Sequence, residues 1–177
     1  GIAQVCAQAG YTTRMFDADG IALERGMHRI REFWEKGIAK GKTTAAQRNE
    51  WSGRLHKVTN FGAAMDDVDL VIEAVPEDLA LKQRLFADAD KRAPKKAILA
   101  SNTSSLSITA IASATQRPGR VLGLHFFNPV PLMQLLEIVR HGGLAPDVLE
   151  TAQQVGARLG KTTIVVNDSP GFATSRL

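Results

Sequence analysis

Five apolar runs of strand length punctuate this chain, with helical or polar stretches between them, and that alternation most restricts its fold. The runs are DLVIEAV at 69–75, AILASN at 97–102, VLGLHFF at 121–127, LLEIV at 135–139 and TTIVVND at 162–168. Continuous apolar strands are covered on both faces, so the expectation is an α/β fold: a Rossmann-like, doubly wound, mostly parallel sheet with helices on both faces. Helical patterns span about 2–9, 20–40, 44–57, 79–92 and 147–159, and a short strand signal covers 11–16. Gly10 ends the first helix, and Thr44 is placed to cap the third. No internal repeat or low-complexity linker divides the chain, so one domain is expected.

A chain of 177 residues, 44% of them hydrophobic, can bury one sizeable core. No apolar run approaches the roughly 18 to 20 residues that a membrane helix needs. The opening GIAQVCAQAG lacks the charged start and apolar centre of a signal peptide. A single cysteine, Cys6, rules out an internal disulfide framework and suits a reducing cytoplasm. With that one cysteine, and four histidines without ligand spacing, no metal is expected. Both ends look cut: a dinucleotide-binding fold should begin with a strand and a glycine-rich turn, and PGFATSRL stops without a closing element.

The net charge of +4 comes from 22 Lys and Arg against 18 Asp and Glu, and much of the excess lies between Arg25 and Lys57. A solvated helix face explains that stretch as well as a ligand carrying several phosphates does. Nucleic acid is the weaker reading, because no RNA- or DNA-binding motif accompanies the charge.

Chemistry concentrates in HFFNPVPLMQLLEIV. His125 ends a buried-strand signal at a Pro-interrupted loop, where open α/β sheets place their ligands. Asn128 follows three residues later, and Glu137 lies twelve residues on, inside an apolar run. Burying a carboxylate there is costly without a partner, and a histidine one strand away can supply one. The carboxylate would fix the imidazole tautomer and raise its basicity. His28 and His56 sit among charged helical residues and read as surface, and His141 reads as loop. SNTSSLSI at 101–108 follows a strand, and its hydroxyls could face a ligand or cap a helix, with Ser104 or Ser105 as the cap. Asp17, ending the second strand signal, stands where a carboxylate binds the adenosine ribose and favours NAD over NADP.

These segments together resemble the 3-hydroxyacyl-CoA dehydrogenase family: SNTSSL, LHFFNPVP with Glu137 downstream, VIEAVPEDLALK and DSPGF. GIAQVCAQAGY is similar to the segment that follows that family's glycine turn, and the likeness runs over essentially the whole chain. It implies that residues 1–177 are part of an NAD-binding domain, with a helical, dimer-forming domain beyond them. The implied reaction is NAD-dependent oxidation of (S)-3-hydroxyacyl-CoA. His125 would be general base, Glu137 its orienter, Ser104 a hydrogen-bond partner of the substrate oxygen, and Asn128 a positioning group. Asp17, Ala74, Glu77, Lys82 and Asn102 match NAD-contacting positions, and Lys40 matches a position that contacts the CoA moiety.

Two departures stand out. Ser175 replaces the substrate-contacting asparagine of PGFxxNR, and Phe33 stands where some relatives carry a CoA-contacting serine. Oxidation of another 3-hydroxy acid, such as gulonate or carnitine, is the near alternative. A catalytically silent NAD-binding module is the distant one, and a parent fused to a hydratase is also compatible with the sequence.

Overall fold

Three strands of the fold are buried along most of their length: β4 (Ile98–Ser101), β5 (Val121–Phe126) and β6 (Leu135–Arg140). The computed structural model describes residues 1–173, so Ser175 lies outside the described residues. Residue contacts divide the chain into two compact units, Gly1–Ala64 with Asn128–Leu132, and Met65–Phe127 with Met133 onward.

The first unit holds α1 (Ile2–Gln8), β1 (Thr13–Phe16), α2 (Gly20–Ala39), α3 (Ala45–Arg54), β2 (Leu55–Val58) and most of α4 (Phe61–Met65). On α2 the residues Leu23, Met27, Ile30 and Trp34 recur at helical spacing and are buried. Met27, Ile30 and Trp34 pack with Ala7 and Leu55 to form the core, against which Ala3, Met15 and Trp51 close. The Trp34 and Trp51 rings sit 5.7 Å apart at 51°. Asp19 caps α2 by accepting from the Ile21 amide. Thr44 caps α3 as expected, in a reciprocal arrangement: its hydroxyl accepts from the Gln47 amide at 3.1 Å, and Gln47 Oε1 accepts from the Thr44 amide at 2.9 Å.

One expectation fails here. The helix read across 44–57 stops at Arg54, and Leu55–Val58 forms β2, parallel to β1 with Thr13 opposite Leu55. Burying Leu55 against α2 and pairing with a strand some forty residues earlier outweigh local helix preference.

The second unit is a five-stranded sheet in the order β3 (Leu70–Glu73), β4, β5, β6, β7 (Thr162–Asn167). α5 (Leu79–Arg92), α6 (Ile108–Ala112) and α7 (Pro146–Arg158) connect the parallel neighbours β3–β4, β4–β5 and β6–β7. β5 and β6 are antiparallel and need no helix between them. Gly123 lets these two strands meet, because a Cβ there would lie 2.7 Å from Val139 Cβ. The expected Rossmann-like, mostly parallel α/β sheet is therefore observed. No helix among the described residues is long and apolar enough to cross a membrane.

Candidate active site

An antiparallel ladder converts sequence spacing into contact. Pairing Gly123 with Val139 puts His125 directly opposite Glu137, twelve residues away in sequence. Directly opposed residues project to the same face of a sheet, and the two side chains meet with His125 Nδ1 2.6 Å from Glu137 Oε2. Glu137 is fully buried and His125 is 6% exposed. With the carboxylate accepting, Nδ1 carries the proton and Nε2 keeps the lone pair. The Ala173 amide donates to the other carboxylate oxygen at 3.3 Å. Aromatic rings shield the imidazole: Phe127 lies 4.4 Å and Phe172 5.9 Å from it, centroid to centroid.

The carboxyl ends of β3 and β4 lie in the same sheet, with β4 beside β5. The Phe126 amide donates to Asn102 Oδ1 at 2.9 Å, which ties the end of β4 to the end of β5. Asn102 therefore has its amide NH2 left to present to a ligand. Ser104 is exposed, and its backbone N–H donates to Glu77 Oε1 at 2.8 Å. Burial pushes the Glu77 carboxyl up, but donors outweigh it: the Thr103 hydroxyl, the Ser104 amide and the Lys82 ammonium hold it below the usual carboxylate range. Lys82 is 1% exposed and lies between Glu73 Oε1 at 2.6 Å and Glu77 Oε2 at 3.2 Å. Ala74 is exposed just past β3.

The remaining expected site residues belong to the first unit. Asp17 is exposed directly after β1, with Oδ1 accepting from the Asp19 amide at 2.9 Å. Lys40 is exposed at the C-cap of α2, and Phe33 is 40% exposed on the same helix. Asn128 is exposed and precedes the cis Pro129. The structure thus brings His125, Glu137, Asn102, Ser104, Glu77 and Lys82 into one unit, and leaves Asp17, Lys40 and Asn128 in the other.

The cap expected at Ser104 or Ser105 is elsewhere. Ser107 is the N-cap of α6, its hydroxyl accepting from the Ala110 amide at 3.2 Å. Asp168, just past β7, accepts from the same turn: the Ile108 amide at 3.0 Å, the Thr109 amide at 2.7 Å, and the Thr109 and Ser107 hydroxyls at 2.5 and 2.9 Å. Burial raises the Asp168 carboxyl, and these donors more than offset it, so it titrates below the ordinary range. Ser104 is freed from capping, which leaves its hydroxyl for a ligand.

The histidines sort as the sequence suggested, with one addition. His28 and His56 are exposed, whereas His141 lies in the turn after β6 yet is buried. Its Nε2 donates to the Pro118 and Val121 carbonyls at 3.0 and 3.1 Å, and its Nδ1 accepts from the Gly143 amide at 3.2 Å. That is a structural histidine with both nitrogens committed. Glu73, Asp168 and Phe172 were not singled out from the sequence. Glu73 carried the same signal as Glu137, a carboxylate inside an apolar run.

Comparison with known proteins places the chain in a family. The profile of the 3-hydroxyacyl-CoA dehydrogenase NAD-binding domain matches residues 1–169. A probable 3-hydroxybutyryl-CoA dehydrogenase of Bacillus subtilis is 43% identical over all of this chain and 61% of its own length. The fatty acid oxidation complex subunit alpha of Acinetobacter baumannii is 37% identical, again over all of this chain but only 24% of its own length. The crystal structure of (S)-3-hydroxybutyryl-CoA dehydrogenase from Ralstonia eutropha superposes with a TM-score of 0.95 at 35% identity, over 99% of this chain and 62% of that one. The chain therefore spans less than two thirds of these relatives, and it belongs to the 3-hydroxyacyl-CoA dehydrogenase family as a chain of its NAD-binding domain.

Proposed function

We propose that the protein carrying this chain oxidises (S)-3-hydroxyacyl-CoA to 3-oxoacyl-CoA with NAD, in fatty acid breakdown or hydroxybutyryl-CoA metabolism. The observation that carries this reading is the buried pair of His125 Nδ1 and Glu137 Oε2 at 2.6 Å. Glu137 holds the ring so that Nε2 is the basic atom, and Nε2 takes the proton of the 3-hydroxyl. In the reverse direction the imidazolium returns it to the forming alcohol, and buried Glu137 stabilises that cation. Ser104 holds the substrate oxygen through its exposed hydroxyl, and Asn128 positions the substrate. Phe127 and Phe172 keep water from the ring.

The residues present fit the dinucleotide. An exposed carboxylate directly after β1 suits ribose hydroxyls, and Ala74, Glu77 and Asn102 follow the ends of two parallel strands. Asp17, Ala74, Glu77, Lys82 and Asn102 would hold it, Lys82 from behind Glu77. When bound, NAD supplies the hydride acceptor. Exposed Arg25, Arg29, Arg31 and Lys40 on and just past α2 favour a CoA ester over a free 3-hydroxy acid, with Lys40 as the phosphate contact.

The test is His125→Gln in the full-length protein, assayed as acetoacetyl-CoA reduction by NADH. The rate should fall about 10²- to 10⁴-fold, the range for removing a general acid–base group, while NADH binding is kept. A rate within a fewfold of wild type would remove His125 from the chemistry.

A further inference from the structure

A second buried carboxylate shares the sheet with Glu137, and the proton chemistry above does not use it. Glu73 ends β3 and is 5% exposed. Its Oε2 accepts from the hydroxyl of Ser101, its register partner on β4, at 2.7 Å. Its Oε1 accepts from the Val75 amide at 2.7 Å and from Lys82 Nζ at 2.6 Å. Lys82 also donates to the Val75 carbonyl at 3.1 Å and pairs with Glu77 Oε2 at 3.2 Å. An ammonium has three N–H groups, and all three are taken. Glu77 passes the constraint on, since its Oε1 accepts from Thr103 Oγ1 at 2.5 Å and from the Ser104 amide at 2.8 Å.

These bonds form one unbroken chain: Glu73 to Lys82, Lys82 to Glu77, and Glu77 to the backbone of Ser104. Its inner end is buried, and its outer end is the backbone amide of the exposed Ser104. Buried ion pairs contribute little net stability compared with apolar packing, so stability alone is a poor reason for this arrangement. What it does accomplish is to fix one loop against another. The turn after β3 is tied to the turn after β4 at the residue that would touch substrate.

We infer that Glu73 is a positioning residue for the reaction: acting through Lys82 and Glu77, it fixes the Ser104 loop and thereby aims the Ser104 hydroxyl. This rests on the dehydrogenase reading given above. Glu73→Gln keeps the side-chain shape and removes the charge that centres Lys82. Lys82 then keeps Glu77 as its charged partner beside the Val75 carbonyl, and the grip of Glu77 on the Ser104 backbone loosens.

The experiment is a double-mutant cycle on kcat for acetoacetyl-CoA reduction by NADH in the full-length protein, using Glu73→Gln and Ser104→Ala. Alone, Glu73→Gln should lower kcat about tenfold or more, a loss of interaction realised in the transition state. In the Ser104→Ala background it should lower kcat by less than about twofold, because the hydroxyl it aims is already gone. Ser101→Ala, which removes one bond to Glu73, gives a gentler version of the same cycle if Glu73→Gln fails to fold. Losses that multiply in both cycles would overturn the inference and reduce Glu73 to a general structural role. A wild-type protein unable to oxidise NADH with acetoacetyl-CoA would instead overturn the dehydrogenase reading, and this inference with it.

Discussion

The sheet of the second unit buries two carboxylates, and the neighbour of each decides what it can do. Glu137 on β6 and Glu73 on β3 both sit in apolar strands, and both bond to the residue directly opposite in register, His125 and Ser101. Beyond that they diverge. Glu137 faces an imidazole, whose ring nitrogens can each donate or accept a proton. Glu73 faces Lys82, whose ammonium is held by two carboxylates and a carbonyl. A carboxylate beside a titratable group supports proton transfer, whereas one beside a fixed cation supports geometry. On the function proposed above, β6 would serve the proton chemistry and β3 the aim of the Ser104 loop.

That division is most exposed to attack at the partners. Lys82→Met strips Glu73 of its counter-charge and should cost about 3 to 5 kcal/mol of stability, the usual penalty for orphaning a buried ion. His125→Gln, by contrast, leaves Glu137 a neutral donor and should cost less than about 2 kcal/mol while abolishing most activity. Urea unfolding midpoints of the two variants measure the contrast directly. Equal costs would mean that the two carboxylates are not held in different ways.

A smaller effect comes from Asp168, which is held by neutral donors only and so lies between the two extremes. Its folded carboxyl titrates below the unfolded value of about 3.9. It therefore contributes stability that is fully present above about pH 4 and is lost as pH falls through the depressed folded value. Asp168→Asn should cost about 1 to 3 kcal/mol at pH 7 and progressively less below pH 4. Thermal unfolding at pH 7 and pH 3 reads the difference, and a pH-independent cost would refute the assignment.

Much of this was readable from residues alone, for reasons that differ between parts. The five apolar runs all became strands, although only β4, β5 and β6 are buried along most of their length, and α5 spans Leu79–Arg92 as its pattern predicts. The His125–Glu137 pair was legible because each residue was anomalous in its strand and their spacing suited an antiparallel ladder. β2 was not legible: LHKV has two exposed polar residues at its centre, and its strand character comes from pairing with β1. The α6 cap was misplaced because Asp168, some sixty residues away, helps to fix which hydroxyl faces the helix. Glu73 offered the same anomaly as Glu137 but lacked a histidine to draw attention to it. Its partner, Lys82, is marked by the family resemblance as an NAD-contacting position, and only the fold reveals that it is buried.

The central claim is that Glu137 governs the proton chemistry of His125. Its most direct test is the pH profile of kcat for 3-hydroxybutyryl-CoA oxidation, comparing wild type with Glu137→Gln in the full-length protein. The account predicts a lower kcat together with a displaced acid limb, because the imidazolium loses its buried counter-charge. A profile that superimposes on wild type after scaling would contradict it.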